Sequence, residues 1–405
     1  MANIFKLKNQ IKHYPWGSPD CIPRLMGIAA DGSPWAELWM GAHPTAPSLV
    51  SLPAGDIGLG GFIAGDPCRC LGAQTAQRFG ALPFLFKLLA AEKPLSIQAH
   101  PNMAQAIAGR EREDMAGLAH NAPNRSYRDS NHKPEIICAL TPFAGMCGFR
   151  NPEKICILLE AFLSLHPPAV LRKSLAPLMQ TLAPGSASLR DFFSAVFSLP
   201  NGARKALTEF ILSGDTASPL SIFREWELMR NFARQYPGDP AIIAPLYLNI
   251  FNLDPGEALF LNAGILHAYI HGFAVELMAN SDNVLRGGLT DKHVDIPELL
   301  KVVDFNPLQP CIIKPERELS SFTYPAPCEE FSLTIMHGSG GSTAPAAFAR
   351  NTPAICIVTE GEVFIDTPDA AGIVLKQGES AFIPPADSGL VLHGRYTMFI
   401  ASVPS

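Results

Sequence analysis

LPFLFKLLAAEKPLSIQAHP, residues 82–101, decides how this 405-residue chain folds. Short apolar runs broken by Pro read as antiparallel β structure. Alternate residues of a strand face one side. Ser96, Gln98 and His100 therefore share a face, while Ile97 and Ala99 turn to the other, continuing Leu95. Pro94 and Pro101 bracket the segment and limit slippage. Three polar groups on one face between apolar neighbours form a site-like pattern; a solvated polar face is the plain alternative.

The same texture runs outward in both directions. KPEIICALTPFAGMCGF (133–149) repeats it, so residues 1–150 read as β structure. Between 151 and 239 the pattern changes. ICILLEAFLSLH, AVLRKSLAPLMQTL, SLRDFFSAVFSL, ARKALTEFIL and LSIFREWELMRNFARQY carry apolar residues at three- and four-residue spacing, the mark of amphipathic helices. Strand texture returns in LYLNIFNLDPGEALFLNAG (246–264). A helical block inside a β pattern reads as an insertion, so the class is mainly β with an α insertion. The expected division is a discontinuous catalytic unit (1–150 with 240–325), a helical insertion (151–239) and a C-terminal unit (326–405). In the last, FSLTIMHG, PAICIVTEGEVFID, GIVLKQGESAFIPP, GLVLHG and TMFIAS are short strands with recurring turns. GEVFIDTPDAAGIVLKQGESAFIPP (361–385) resembles the later strands of a cupin jelly roll but contains no histidine, which predicts a non-catalytic barrel.

Composition narrows the function classes. The chain is 47% hydrophobic and 17% charged, with 37 Pro and 32 Gly, which favours strands and turns over a helix bundle. A net charge of −6 does not point to nucleic acid. No apolar run of membrane-spanning length appears, and MANIFKLKNQIKHYPWG has no signal-peptide core. Nine scattered cysteines, with a lone C-x-C at Cys68 and Cys70, make neither a disulfide scaffold nor a zinc knuckle. A reducing cytoplasm is the expected setting.

The densest chemistry lies in YRDSNHKPE (127–135). Lys133 and Glu135 share a face across Pro134, at the mouth of an apolar run; His132 is either a pocket group or an ordinary loop hydrogen-bonder. His267 and Tyr269 share a face after the turn at Asn262-Ala263-Gly264, and a second turn is expected at His271-Gly272, before a strand through Glu276. His100, Glu135 and His267 together form a sensible divalent-metal set, and Gln98 offers a neutral amide oxygen. Neutral donors leave more positive charge on the metal, which suits Lewis-acid work. SDNVLRGGLTDKHVD (281–295) places Arg286 and Lys292 beside Gly287 and Gly288. Basic residues near a cation make sense if an anionic substrate lies between them. GLGGFIAG (58–65) lacks the strand–turn–helix setting of a dinucleotide fingerprint and is discounted.

YRDSNHKPE, AELWMGAHP (36–44), FLFKLLAAEKPLSIQAHPN (84–102) and HAYIHGFAVELMANSDNVLRGGLTDK (267–292) together resemble the signature segments of type I mannose-6-phosphate isomerases. The resemblance implies two cupin-like jelly-roll barrels with a helical domain, and one zinc per chain held by Gln98, His100, Glu135 and His267. It maps the family's catalytic arginine onto Arg286. Lys133 falls on a position implicated in proton handling or substrate binding, and Tyr269, Glu276, Lys292 and Trp16 fall on pocket-lining positions. Lys133 and Glu276 are the first candidates for the base, His132 and Tyr269 the next; Ser96, Lys87 and Lys292 are phosphate candidates. QAHP stands where QVHP is usual, and ILHAYIHG departs from PHAYLxG around Leu266 and His271. The implied reaction interconverts mannose 6-phosphate and fructose 6-phosphate through an enediol or enediolate. The alternatives are another metal-dependent cupin enzyme, an epimerase or oxygenase, and a sugar-phosphate-binding regulator without turnover. A phosphorylated hexose is the expected partner, with neither nucleic acid nor membrane, and the chain is expected to be a monomer or homodimer.

Overall fold

A computed structural model of the chain describes residues 4–183, 185, 188–214, 222–316, 319–342, 351–367, 370–385 and 390–404. It is mainly β, and the interrupting block is helical. An 11-stranded sheet system takes its strands from both sides of that block. Its main path runs Ile312–Ile313, Ala258–Leu261, Glu135–Ala139, His267–Ala279, Phe84–Ala91, Glu37–Gly41, Gln10–Lys12, with antiparallel neighbours throughout. Phe84–Ala91 and Glu135–Ala139 are buried along their whole length. A strand covered on both faces need not alternate, which is why their sequences are nearly continuous apolar runs.

The long strand His267–Ala279 links two layers. Its first half pairs with Gln98–Ala99 and Phe143–Phe149; its second half lies between Phe84–Ala91 and Glu135–Ala139. The turn expected at His271-Gly272 is instead a β-bulge within one strand of 13 residues. The chain changes partners there without reversing. Gly272 has φ 128°, and a Cβ on it would sit 2.8 Å from the Pro142 carbonyl oxygen, so only glycine passes this point.

The helical texture is realised as Pro152–Leu163, Ala169–Gln180, Leu189–Phe197, Asn201–Ser213 and Phe223–Gln235. Pro and Gly between the second and third helical segments predict a break at 183–186; that break and the start of the last helical segment at 220 fall partly outside the described residues. Phe162, Phe192, Trp226 and Phe232 form one apolar cluster with Phe149, Met146, Ala268 and Ile270 of the sheet strands, so the helices are packed onto the sheet. The helix Met103–Met115, with an Asn102/Gln105 capping box, lies in the stretch read as β throughout. Its sequence, MAQAIAGREREDM, has few large apolar residues, and only Ala106 and Gly109 are buried, so no apolar stripe marked it as a helix.

A nine-stranded sheet contains Ser321–Tyr324, Ser332–Ser342, Val391–Ser402, Ala354–Thr367 and Ser380–Ile383, continued by Phe5–Lys8, Leu49–Leu52 and Gly55–Gly58, with Ala370–Lys376 on Ala354–Thr367. Pairing thus crosses the boundary expected at 326, because Phe5 lies opposite Phe382. Alternation shows that a strand forms but not which sheet it joins. GLVLHG and TMFIAS merge into the single strand Val391–Ser402. Both sheets are open in strand order among the described residues, a cupin-like arrangement without full barrel closure. They share one core: Leu38, Phe86, Ile136 and Val275 pack with Phe331, Leu333, Ile357 and Phe399.

Candidate metal centre

Three strands bring the polar residues together. Gln98 pairs with His267 across the short strand Gln98–Ala99, and Arg286 lies opposite Gln98 on its other side. Glu135 opens its strand opposite Met278. His100, Glu135 and His267 are all buried, and their ligating atoms lie within 4.8 Å of one another. His100 Nδ1 is 2.6 Å from the Asn283 carbonyl oxygen, and His267 Nδ1 is 2.9 Å from that of Ile265. A carbonyl can only accept, so each Nδ1 carries the proton and each Nε2 is left with a lone pair.

Those lone pairs face the carboxylate. His100 Nε2 is 3.4 Å from Glu135 Oε1, and His267 Nε2 is 3.3 Å from Oε2. His100 Nε2 and Glu135 Oε2 are buried without a hydrogen-bond partner. Burial and the Lys133 ammonium push His100 down to about 4, so its ring is neutral near pH 7. Burial works against charge on Glu135, yet the Lys133 ammonium holds it below the usual carboxylate range. Converging lone pairs and an anion with no proton between them fit a divalent cation. The Gln98 amide is at the same focus, 3.4 Å from His267 Nε2, and rotation of the amide presents its oxygen there.

Lys133 reaches the same carboxylate, with Nζ 3.1 Å from Glu135 Oε1. Lys87 and Glu276, on adjacent strands, form a buried ion pair at 2.9 Å. Burial opposes the charge on Lys87, but Glu276, Glu37 and Glu135 keep it protonated. Burial raises Glu276 in spite of Lys87. The Tyr269 hydroxyl is buried beside Glu276 and raised well above its ordinary value, first by burial. These groups floor a cavity of about 640 Å³. Trp16 and Ser96 line it, as do Arg128, Arg286 and Lys292, which lie close enough to shift one another. Burial lowers Arg286, and the Arg128 guanidinium adds to the shift. Lys292 is lowered by burial, then by Arg286 and Arg128. Three cations that repel one another across a cavity call for an anion.

Every residue expected at the site lines this cavity or its metal cluster except His132. Its imidazole is 2.7 Å from Glu330, in the bend before the strand Ser332–Ser342, and does not line the cavity. The loop at 131–134 alternates sides, so Lys133 points inward and His132 outward. Lys87 lines the wall, but its ammonium is engaged by Glu276. Sequence reasoning missed Arg128, although it lies inside YRDSNHKPE; a basic residue next to Asp129 reads as a local pair. It also missed Asn283, whose amide takes the Arg128 and Asp129 N–H groups and donates to the Asp129 and Asn131 carbonyls. A larger cavity of about 730 Å³ is lined by residues from both sheets, but its charged residues, such as Arg24, Lys314 and Glu360, are exposed, and among the described residues it holds no metal cluster.

A family model described as the catalytic domain of type I phosphomannose isomerase matches residues 4–152. The mannose-6-phosphate isomerase of Escherichia coli (strain K12) is 39% identical over 396 residues, 96% of this chain and 97% of that protein. The human protein of the same name is 32% identical over 412 residues, 95% of this chain and 94% of that protein. A crystal structure of a mannose 6-phosphate isomerase described as holo and zinc bound is similar with a TM-score of 0.87 at 36% identity, over 99% of this chain and 100% of that one.

Proposed function

The chain belongs to the family of type I mannose-6-phosphate isomerases, and from that footing we propose that it interconverts mannose 6-phosphate and fructose 6-phosphate. The observation that carries the reading is the pairing of two features in one cavity: a buried lone-pair cluster at its floor and three mutually repelling cations on its wall. The cluster suits a metal and the wall suits a phosphate. We assign zinc to His100, Glu135 and His267, with the Gln98 amide oxygen as a fourth donor. Zinc bound there supplies Lewis acidity and positive charge to the substrate's oxygens.

The remaining steps rest on this chain's residues. Arg128, Arg286 and Lys292 would receive the phosphate and developing negative charge, relieving their own repulsion. In the open-chain aldose, a base removes the C2 proton and the C1 oxygen becomes anionic, giving an enediolate. The proton returns at C1, and the O2 hydroxyl proton moves to O1, so ketose forms with no gain or loss of atoms. Lys133 is the favoured proton carrier, because its ammonium lines the cavity and its one close partner, Glu135, is the carboxylate assigned to the metal. Glu276 is tied to Lys87, which suits it to fixing the floor of the cavity; Tyr269 and Trp16 would shape the sugar's wall and Ser96 hydrogen-bond to it.

The test is a coupled assay that follows fructose 6-phosphate formed from mannose 6-phosphate. The purified chain should turn over, lose activity on chelation and regain it with zinc. A zinc-loaded protein without turnover would refute the reading.

A further inference from the structure

The helical block ends on an aspartate that grips the loop following Arg286. Asp239 caps the 3-10 turn Pro240–Ile243, with its Oδ1 accepting from the Ala241 N–H at 2.8 Å. Its Oδ2 lies 3.4 Å from the Thr290 N–H, and the Leu289 N–H also bonds to the carboxylate. The loop it holds is a tight one. Leu289 is buried with φ 52°, a left-handed backbone that a branched apolar side chain seldom adopts. Gly288 has φ 109°, and a Cβ on it would fall 2.2 Å from the Ala241 Cβ and 3.1 Å from Asp239 Oδ1. On its other side the loop is tied to the metal strand: Gly287 N–H donates to the Ile97 carbonyl at 2.7 Å, and Ile97 N–H to the Gly288 carbonyl at 3.0 Å. Residues 287–290 are thus clamped between the segment that carries Gln98 and the end of the helical block. Arg286 and Lys292 flank that clamp. The helical block touches the cavity nearby as well, since Gln235 and Tyr236 line it and the Tyr236 hydroxyl donates to the Pro94 carbonyl at 3.2 Å.

We infer that Asp239 is a positioning residue for Arg286: its carboxylate ties the end of the helical block to the loop that follows Arg286 and so helps set the place of the cationic wall. The inference rests on the function proposed for the cavity. An unpaired loop with a left-handed leucine would relax, and a displacement of about 1 Å at Arg286 is enough to cost turnover on the order of 10²-fold. The metal cluster is held by other carbonyls and strands, so zinc should stay.

Asp239→Asn is the decisive variant. One amide oxygen can still cap Ala241, but the amide nitrogen then confronts the Thr290 and Leu289 donors. Asp239→Ala removes both contacts. Each zinc-loaded variant is assayed beside wild type for kcat, KM, zinc content and melting midpoint. Expected are a kcat lowered by about 10-fold or more in both, full zinc content, and a melting midpoint for Asp239→Asn close to wild type. In an Arg286→Ala background, adding Asp239→Asn should lower kcat little further, because the loss already includes Arg286. Wild-type kcat in Asp239→Asn, or a loss that multiplies fully with that of Arg286→Ala, would overturn the inference. Absence of isomerase activity in the wild-type chain would instead overturn the proposed function.

Discussion

Asn283 is fully buried, and its side chain spends every polar position on the loop that precedes Glu135. Its backbone carbonyl oxygen, 2.6 Å from His100 Nδ1, fixes the tautomer of that ring. Outer partners of this kind are commonly worth 10- to 100-fold in metal affinity. Asn283→Ala keeps that backbone carbonyl but frees it from the loop its side chain holds, so zinc binding is expected to weaken by up to about that factor, read by chelator competition; an unchanged affinity would show that the carbonyl keeps its place without the side chain. Arg286→Ala should lower kcat by about 10²-fold or more while the protein keeps its zinc, and metal analysis beside the assay separates that outcome from a structural role. At this scale the sequence was informative about groups whose chemistry is unusual for their setting. His100, Glu135 and His267 stood out because imidazoles and a carboxylate at the mouths of apolar strands need a reason. Asn283 did not, since an Asn among Ser and Asp is the ordinary composition of a turn. The outward side of His132 was equally hidden, because its partner Glu330 lies 198 positions away.

The elements hold their places through a few cross-links. Glu298, in the helix Ile296–Val302, accepts from the Tyr127 hydroxyl at 2.8 Å and from Lys301 Nζ at 2.7 Å, and pairs with Arg112. Burial alone would raise its carboxyl, but these donors outweigh burial and hold it below the usual range. A depressed carboxylate stabilises the fold above its unfolded value of about 4.3, and that contribution is lost as pH falls through the folded-state value. Glu298→Gln should therefore melt below wild type near neutral pH, with the gap closing below about pH 4. Melts showing the same gap at both pH values would contradict the linkage. Element type was legible wherever a period ran long enough, as in the five helices of the inserted block. The bulge at Gly272 was not. His-Gly between apolar runs has the composition of a turn, and only the neighbouring strands decide that the chain continues straight.

The two sheets share a core, in which Phe331, Leu333, Ile357 and Phe399 pack with Phe86, Ile136 and Val275. Removing residues 321–405 would open that apolar face to water. Expression of residues 1–320 is expected to give aggregated protein, and a soluble, active truncation would refute the shared core. Zinc should act on the whole molecule by mass action, adding about 2.7 kcal/mol when free metal is 100-fold above its Kd, visible as a rise in melting midpoint. The sequence showed where strands lie but not that the first strand pairs with one almost 380 positions later, since pairing partners leave no local trace. The bulge in the strand His267–Ala279 has one more effect. Before it, odd positions His267 and Tyr269 serve the cavity; after it, even positions Glu276 and Met278 do, while Val275 and Leu277 enter the inter-sheet core. The extra residue is a parity switch. A chain shortened by one amino acid there would keep its metal histidine yet turn a carboxylate into oil and two aliphatic side chains into the sugar's path, so insertions and deletions that the surface would absorb are forbidden along these thirteen residues.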